Sequence, residues 1–359
     1  MRLTVSRCLS EPGDRGPAGR RRLLTVFVTA PALLLAGLLP ALAREITDAA
    51  GRSVTVPDAP ARVFAAGPLA AVPLYALAPE TMVGWVRAPC EGDLPWLVPA
   101  THALPELGRL TAKGGTVNLE VLLAQKPDLI VDFGTVNQTY IDLANKVTEQ
   151  TGIPYVLIDG SFANTPAALR LLGEVLGRPE RGEALAAHAE RTFARVDADL
   201  AGIPADQRPR VYLARGAEGL ESAAAGAINA EIIERAGAVN VATGETRGLI
   251  TPSLEQVIAW APGTIITIDR DFAGRVASLA DWQAVPAVAN GRVFLAPSTP
   301  FGFIDSPPSV NRLIGLIWML HVLYPEQAGG DLPAAVTEFA RLFWQVEPDA
   351  AMLDRVVGP

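Results

Sequence analysis

The chain has 359 residues, half of them apolar and 19% charged, with 30 basic against 38 acidic side chains and a formal net charge of −8. That length accommodates two domains of about 150 residues each, and the apolar share is too high for a disordered chain. The acidic surplus argues against nucleic acid as a partner.

Residues 1–43 read as a cleaved signal peptide. Arg20, Arg21 and Arg22 precede an apolar run from Leu23 to Leu39, and Ala41-Leu42-Ala43 has the small-x-small form of a processing site. The run is short for the roughly 20 residues of a membrane span, and Pro40 ends it. The cluster Arg20-Arg21-Arg22-Leu23-Leu24 loosely resembles a twin-arginine signal, and Cys8 lies before the run, where no lipid-anchoring cysteine would sit. Without the segment's six Arg and two acidic residues the chain keeps 24 basic against 36 acidic side chains, about −12. Cys90 is then the only cysteine, so no intrachain disulfide is expected, and a plain loop or packed thiol is. His102, His188 and His321 show no ligand spacing, so neither a metal site nor a cofactor is expected. The expected product is a soluble periplasmic monomer.

The mature chain opens with a Gly turn and an alternating Val-Thr-Val strand at Asp48–Pro57, a short hairpin. A strand at 62–66, a helix at 69–78 and a strand at 82–86 follow, then a loop rich in Pro and Gly from 87 to 115. Residues 118–131, NLEVLLAQKPDLIV, recur in register at 253–266 as SLEQVIAWAPGTII. Each copy reads as a capped helix, a breaker and a buried strand, with Asn118 and Ser253 as N-caps and Pro127 and Pro262 as stops. Between the copies lie a helix at 138–150, a strand at 153–158, a helix from Thr165 to Gly177, and an alanine-rich helix from Pro179 to about Leu200. Beyond Pro209 the order repeats: strand 210–214, helix 228–236, the second copy, strand 291–295, and helices at 308–323 and 333–345. Strands alternating with helices predict an α/β fold of two Rossmann-like lobes with mainly parallel sheets, residues 44–178 and 205–359. The single long helix at 179–204 joins them, and ligands belong in the cleft beyond the carboxyl ends of the strands.

The signal peptide, the D-x-x-GR-x-V-x-VP stretch, the P-x-RV start at Pro60–Val63, the NLE motif at Asn118–Val131, the bridging helix and the second NLE-like copy together resemble the periplasmic substrate-binding proteins of iron-siderophore, haem and cobalamin ABC importers. The resemblance spans essentially the whole mature chain. It implies capture of a ligand between the lobes, modest closure, and delivery to a permease dimer powered by a cytoplasmic ATPase. It also implies that Glu120 and Glu255, in the first turns of the repeated helices, dock against permease arginines.

Ligand-binding candidates follow from the strand ends: Pro68, Trp85, Phe133, Thr135 and Arg215 stand in or beside loops after matched strands. A guanidinium at position 215 would pair two oxygens of an anion or anionic chelate. The stretch Phe301–Arg312 adds Phe303 and Asp305 just before a helix start. Haem would want an axial Tyr or His, cobalamin several aromatic walls, and molybdate only Arg, hydroxyls and amides. A ferric siderophore, the commonest family ligand, is the expected one. An enzyme is not expected, since no nucleophile elbow, P-loop, dinucleotide fingerprint or metal-spaced His pair is present. A ligand sensor for a membrane signalling partner is the alternative class.

Overall fold

The described chain begins with a hairpin. Strands β1 (Ala43–Thr47) and β2 (Ser53–Pro57) run antiparallel, with Ile46 opposite Val54. Asp48 makes the turn, its Oδ1 accepting from the amides of Ala50 and Arg52 at 3.0 Å each. The computed structural model describes residues 43–111, 119–244 and 247–357, all within one compact unit. The signal-peptide reading, apart from Ala43, and the capping role of Asn118 lie outside the described residues.

The first lobe follows in the order β3 (Val63–Ala65), α1 (Pro68–Leu77), α2 (Leu119–Ala124), β4 (Leu129–Gly134), α3 (Gln138–Thr151), β5 (Tyr155–Asp159) and α4 (Thr165–Val175). Its strands pair in parallel in the order β3-β4-β5, with Val63 opposite Leu129 and Ile130 opposite Tyr155. Alternate strand residues feed two cores. Val131, Phe133, Val156 and Ile158 pack on one face, and Phe64, Ile130, Tyr155 and Leu157 on the other with Ala144 and Val147 of α3. Covering both faces is what near-continuous apolar strands demand.

The alanine-rich segment is α5 (Pro179–Leu200), 22 residues, about 33 Å long at the α-helical rise. Its Arg181 donates at 3.2 Å to the carbonyl of Ala76, near the end of α1, and also to the carbonyl of Leu342. The second lobe then runs β6 (Arg210–Ala214), β7 (Ser222–Ala223), α6 (Glu231–Arg235), β8 (Val239–Asn240), β9 (Leu249–Ile250), α7 (Leu254–Trp260), β10 (Thr264–Thr267), α8 (Arg270–Arg275), α9 (Pro286–Ala289) and β11 (Val293–Leu295). Helices α10 (Arg312–Leu323), α11 (Leu332–Phe339) and α12 (Ala350–Val357) close the chain. The second sheet is parallel in the order β11-β10-β6-β8.

The repeat is structural as well as sequential. Its two strands, β4 and β10, hold matching places, each between the strand that opens its lobe and a later one. Ser253 caps α7 with its side chain accepting from Gln256, which reaches back to the Ser253 amide at 2.8 Å. The residues before the two stopping prolines, Lys126 and Ala261, both adopt left-handed backbone, φ 48° and 44°. Proline disfavours the right-handed helical region for the residue ahead of it. Both copies therefore end their helices by the same strained turn.

Four expectations change. Residues 82–86 make isolated bridges rather than a strand, because Trp85 pairs with the 105–107 loop through Trp85 N to Pro105 O at 2.8 Å and Leu107 N to Trp85 O at 2.7 Å. The helix expected over 228–236 shortens to α6. The one expected from 308 begins at Arg312, after Ser306 takes φ 65°. The last expected helix divides into α11 and a wider turn at Ala340–Trp344, and α12 follows it.

Candidate functional site

Parallel strands release their loops at one end, so the loops after β3, β4 and β5 gather on the first lobe and those after β6, β10 and β11 on the second. Segment 296–311, which follows β11, reaches from the second lobe to the first. The ring of Phe301 lies 6.0 Å from Tyr75 and 6.1 Å from Trp85, and Ser309 Oγ donates to the carbonyl of Leu69 at 2.7 Å. Helix α10 packs its backbone directly on this segment: a Cβ on Gly315 would overlap the carbonyl oxygen of Phe303. Glycine at 315 is what lets the segment sit that close.

Two of the residues singled out by sequence meet here. Arg215, in the turn after β6, places Nε 2.8 Å from Oδ2 of Asp305, and its Nη1 is paired with Glu221. The backbone fixes that second pairing, since Arg215 and Glu221 bridge across the turn with N···O distances of 2.8 and 3.2 Å. Asp305 is 1% exposed. Its Oδ1 accepts from Asn229 Nδ2 and from the Ser306 amide, both at 2.7 Å, whereas among the described residues Oδ2 has no hydrogen-bond partner and lies against the guanidinium, in contact but not aligned as a hydrogen bond. Burial pushes the Asp305 carboxyl above the ordinary carboxylate range, against the pull of Arg215 and Asn229.

A second guanidinium joins the lobes. Arg312 is 1% exposed and donates from Nη2 to Gly160 O at 2.9 Å, in the first lobe. From Nη1 it donates to Ile228 O at 2.8 Å and Glu231 Oε2 at 3.0 Å, in the second. The same Glu231 oxygen accepts from the Phe162 amide at 2.8 Å, and Arg312 lies 4.5 Å over the Phe162 ring. Burial lowers the Arg312 pKa to about 10. Sequence reasoning quoted Arg312 but gave it no role, and missed Glu221, Asn229 and Glu231. One signal was available for Arg312: a cation in the first turn of a helix opposes the helix dipole, so something else must hold it there.

On the first lobe, Pro68 starts α1 behind Gly67, with no side-chain cap. The Thr111 hydroxyl lies against Gly67, where any Cβ would collide with it. The same hydroxyl reaches Asp132, which also accepts from Tyr155 OH at 3.1 Å. Burial pushes the Asp132 carboxyl up to about 6.

The aromatic candidates serve packing. Trp85, Phe133 and Phe303 are each at most 3% exposed. Trp85 Nε1 donates to Thr101 O at 2.9 Å, and Phe303 packs 6.2 Å from Trp344. Thr135 is exposed, and Phe301 is the half-buried ring at the seam. Cys90 is free and exposed. Among the described residues no group of three His, Cys, Asp or Glu could hold a metal ion. A cavity of about 480 Å³ opens elsewhere, between β2 and the end of α3, lined by Arg52, Asn145 and Glu149. It lies at the amino end of β5, and its Arg52 is already spent on Asp48, Asn145 and the Tyr155 carbonyl.

Residues 103–300 match the family of periplasmic binding proteins. The chain belongs to that family. The periplasmic binding protein is similar to an ABC transporter solute-binding protein of Sulfurospirillum deleyianum at 28% identity and a TM-score of 0.79, covering 87% of this chain and 98% of that one. It is 29% identical over 274 residues to the molybdate-binding protein MolA of Haemophilus influenzae, 69% of this chain and 76% of that one. The structure of MolA bound to molybdate matches at 25% identity and a TM-score of 0.71, covering 85% and 99%. A structure from the Fe3+-hydroxamate transport system of Saccharomonospora viridis shares the fold at 20% identity and a TM-score of 0.59, covering 78% and 99%. The relatives are solute-binding proteins, so the family works beside a permease and an ATPase rather than as an enzyme.

Proposed function

We propose that this periplasmic binding protein captures a small oxyanion, molybdate first among those to test, and hands it to its ABC permease. The likeness to MolA along nearly its whole length carries the reading. The site adds chemical support: a guanidinium stands at a strand end, whereas the rings expected to wall a large chelate are packed away. Molybdate thus replaces a ferric siderophore as the first ligand to try. A guanidinium fork suits paired oxyanion oxygens, and Arg215 Nη2 makes no hydrogen bond among the described residues. Arg215→Ala is expected to weaken molybdate binding at least tenfold by isothermal titration, which is about 1.4 kcal/mol. Wild-type affinity would move the site off Arg215.

The same reading assigns Glu120 and Glu255 to permease docking. Both are exposed in the first turns of α2 and α7, and the Ser253 side chain and backbone hold the Glu255 carboxyl below its usual pKa. Both side chains therefore stand in water, as a contact with arginines needs. Reversing both, Glu120→Arg with Glu255→Arg, is expected to abolish uptake in cells and leave ligand affinity intact. Normal uptake by the double variant would end the docking assignment.

A further inference from the structure

Arg215 does not stand alone as an anion receptor. Two carboxylates already claim it, Glu221 at Nη1 and Asp305 at Nε. The triad of one cation and two anions carries a net charge of −1, and a dianion arriving there meets repulsion as well as attraction. Repulsion between like charges grows as solvent is excluded from around them. Glu221 is well exposed, so solvent screens it. Asp305 is buried, so its charge acts on the site at nearly full strength.

We propose, building on the oxyanion reading, that Asp305 sets the charge of the ligand by exchanging its hold on Arg215 for a proton. The geometry says where the proton goes. Oδ1 already accepts from Asn229 and Ser306, and a proton there would displace one of those hydrogen bonds. Among the described residues Oδ2 accepts no hydrogen bond, and protonating it costs the contact with Arg215. One proton moves from solvent to Oδ2, the carboxylate becomes a carboxylic acid, and the guanidinium is left to the incoming oxyanion with Glu221 as its remaining partner. No other bond changes. The groups facing Asp305 are Arg215 from the turn after β6, Asn229 ahead of α6, the Ser306 amide, and Arg312 of α10 at longer range. Burial already favours the neutral acid, and a bound dianion favours it further. In the protein without anion, Asp305 keeps Arg215 aimed and neutralised, so the charge of the ligand, rather than its bulk, decides entry.

The test is calorimetric titration of the full mature chain with sodium molybdate between pH 6 and 8, in two buffers of different ionisation enthalpy. Proton uptake approaching one per molybdate is expected. The dissociation constant should rise by up to tenfold per pH unit as pH rises through the window. Asp305→Asn should bind molybdate more tightly than wild type at pH 8 and take up no proton, whereas Glu221→Gln should retain the uptake. Binding without proton uptake in the wild type, or the same pH slope in wild type and Asp305→Asn, overturns the coupling while leaving the oxyanion reading intact. Absence of binding at every pH in all three proteins overturns both. The wild-type uptake measurement decides the question even if a variant fails to fold.

Discussion

Arg312→Met is expected to destabilise the protein by about 3–5 kcal/mol in denaturant unfolding, the cost of removing one partner from a buried ion pair. The substitution keeps an apolar stem of similar length, so packing against Phe162 changes little and the loss reports on polar groups. The carbonyls of Gly160 and Ile228 lose this donor, as does the Glu231 carboxylate, whereas the Ser309 carbonyl keeps the backbone amide of residue 312 at 3.0 Å. Two of those acceptors belong to different lobes, and Glu231 itself ties back to the Phe162 amide at 2.8 Å. The second expected sign is therefore a loss of cooperativity, with the lobes melting in separate calorimetric transitions. Glu231→Gln should cost less, because its side-chain oxygen still accepts from Phe162. A loss below about 1 kcal/mol for Arg312→Met, with a single sharp transition, would mean the seam is held by apolar packing alone.

This clamp also bears on closure. A fully buried guanidinium bonded across the seam resists separation of the lobes there, so movement on ligand binding must be modest or must pivot about Arg312. Arg181, bonded from α5 to the end of α1 and to Leu342, adds a second fixed point. Segment 296–311 meets Tyr75 and Trp85 through Phe301, a third contact between the lobes.

Elements with strong local signals were legible in the sequence. The repeat at 118 and 253 marked two helices and two strands because the carboxylate and the proline of each copy, with the Ser253 cap of the second, act within one turn. Helix α5 was legible because Pro179 opens an uninterrupted alanine-rich run. The site was legible only in part. Arg215 and Asp305 were each visible as polar residues in loops, but 90 positions separate them, and no local pattern says that they meet. The burial of the aromatics was illegible for the same reason: how far Trp85, Phe133 or Phe303 is covered depends on what packs above it. The segment at 82–86 has strand composition, yet it pairs with loop 105–107, a partner no periodicity reveals.

Asp132 is expected to make the protein more stable in mild acid than its other groups would. Its carboxyl sits in the β4 strand between Tyr155 and Thr111, and burial raises it from 3.8 to about 6. For an acid whose folded pKa lies above the unfolded value, the folded chain binds the extra proton, so its contribution is fully present below about pH 4 and is lost as pH rises through about 6. A shift of that size corresponds to about 3 kcal/mol. Asp305 shifts in the same direction, so the wild-type profile alone does not separate the two; comparison with Asp132→Asn does. The amide is neutral throughout, and its NH2 can donate to the Tyr155 or Thr111 hydroxyl, which are able to turn and accept. Asp132→Asn should therefore match the wild type within about 1 kcal/mol near pH 4 and exceed it by about 3 kcal/mol at pH 8. A difference between the two proteins that stays constant from pH 4 to pH 8 would show that Asp132 is charged in the fold at ordinary cost, with water or the neighbouring loop reaching it.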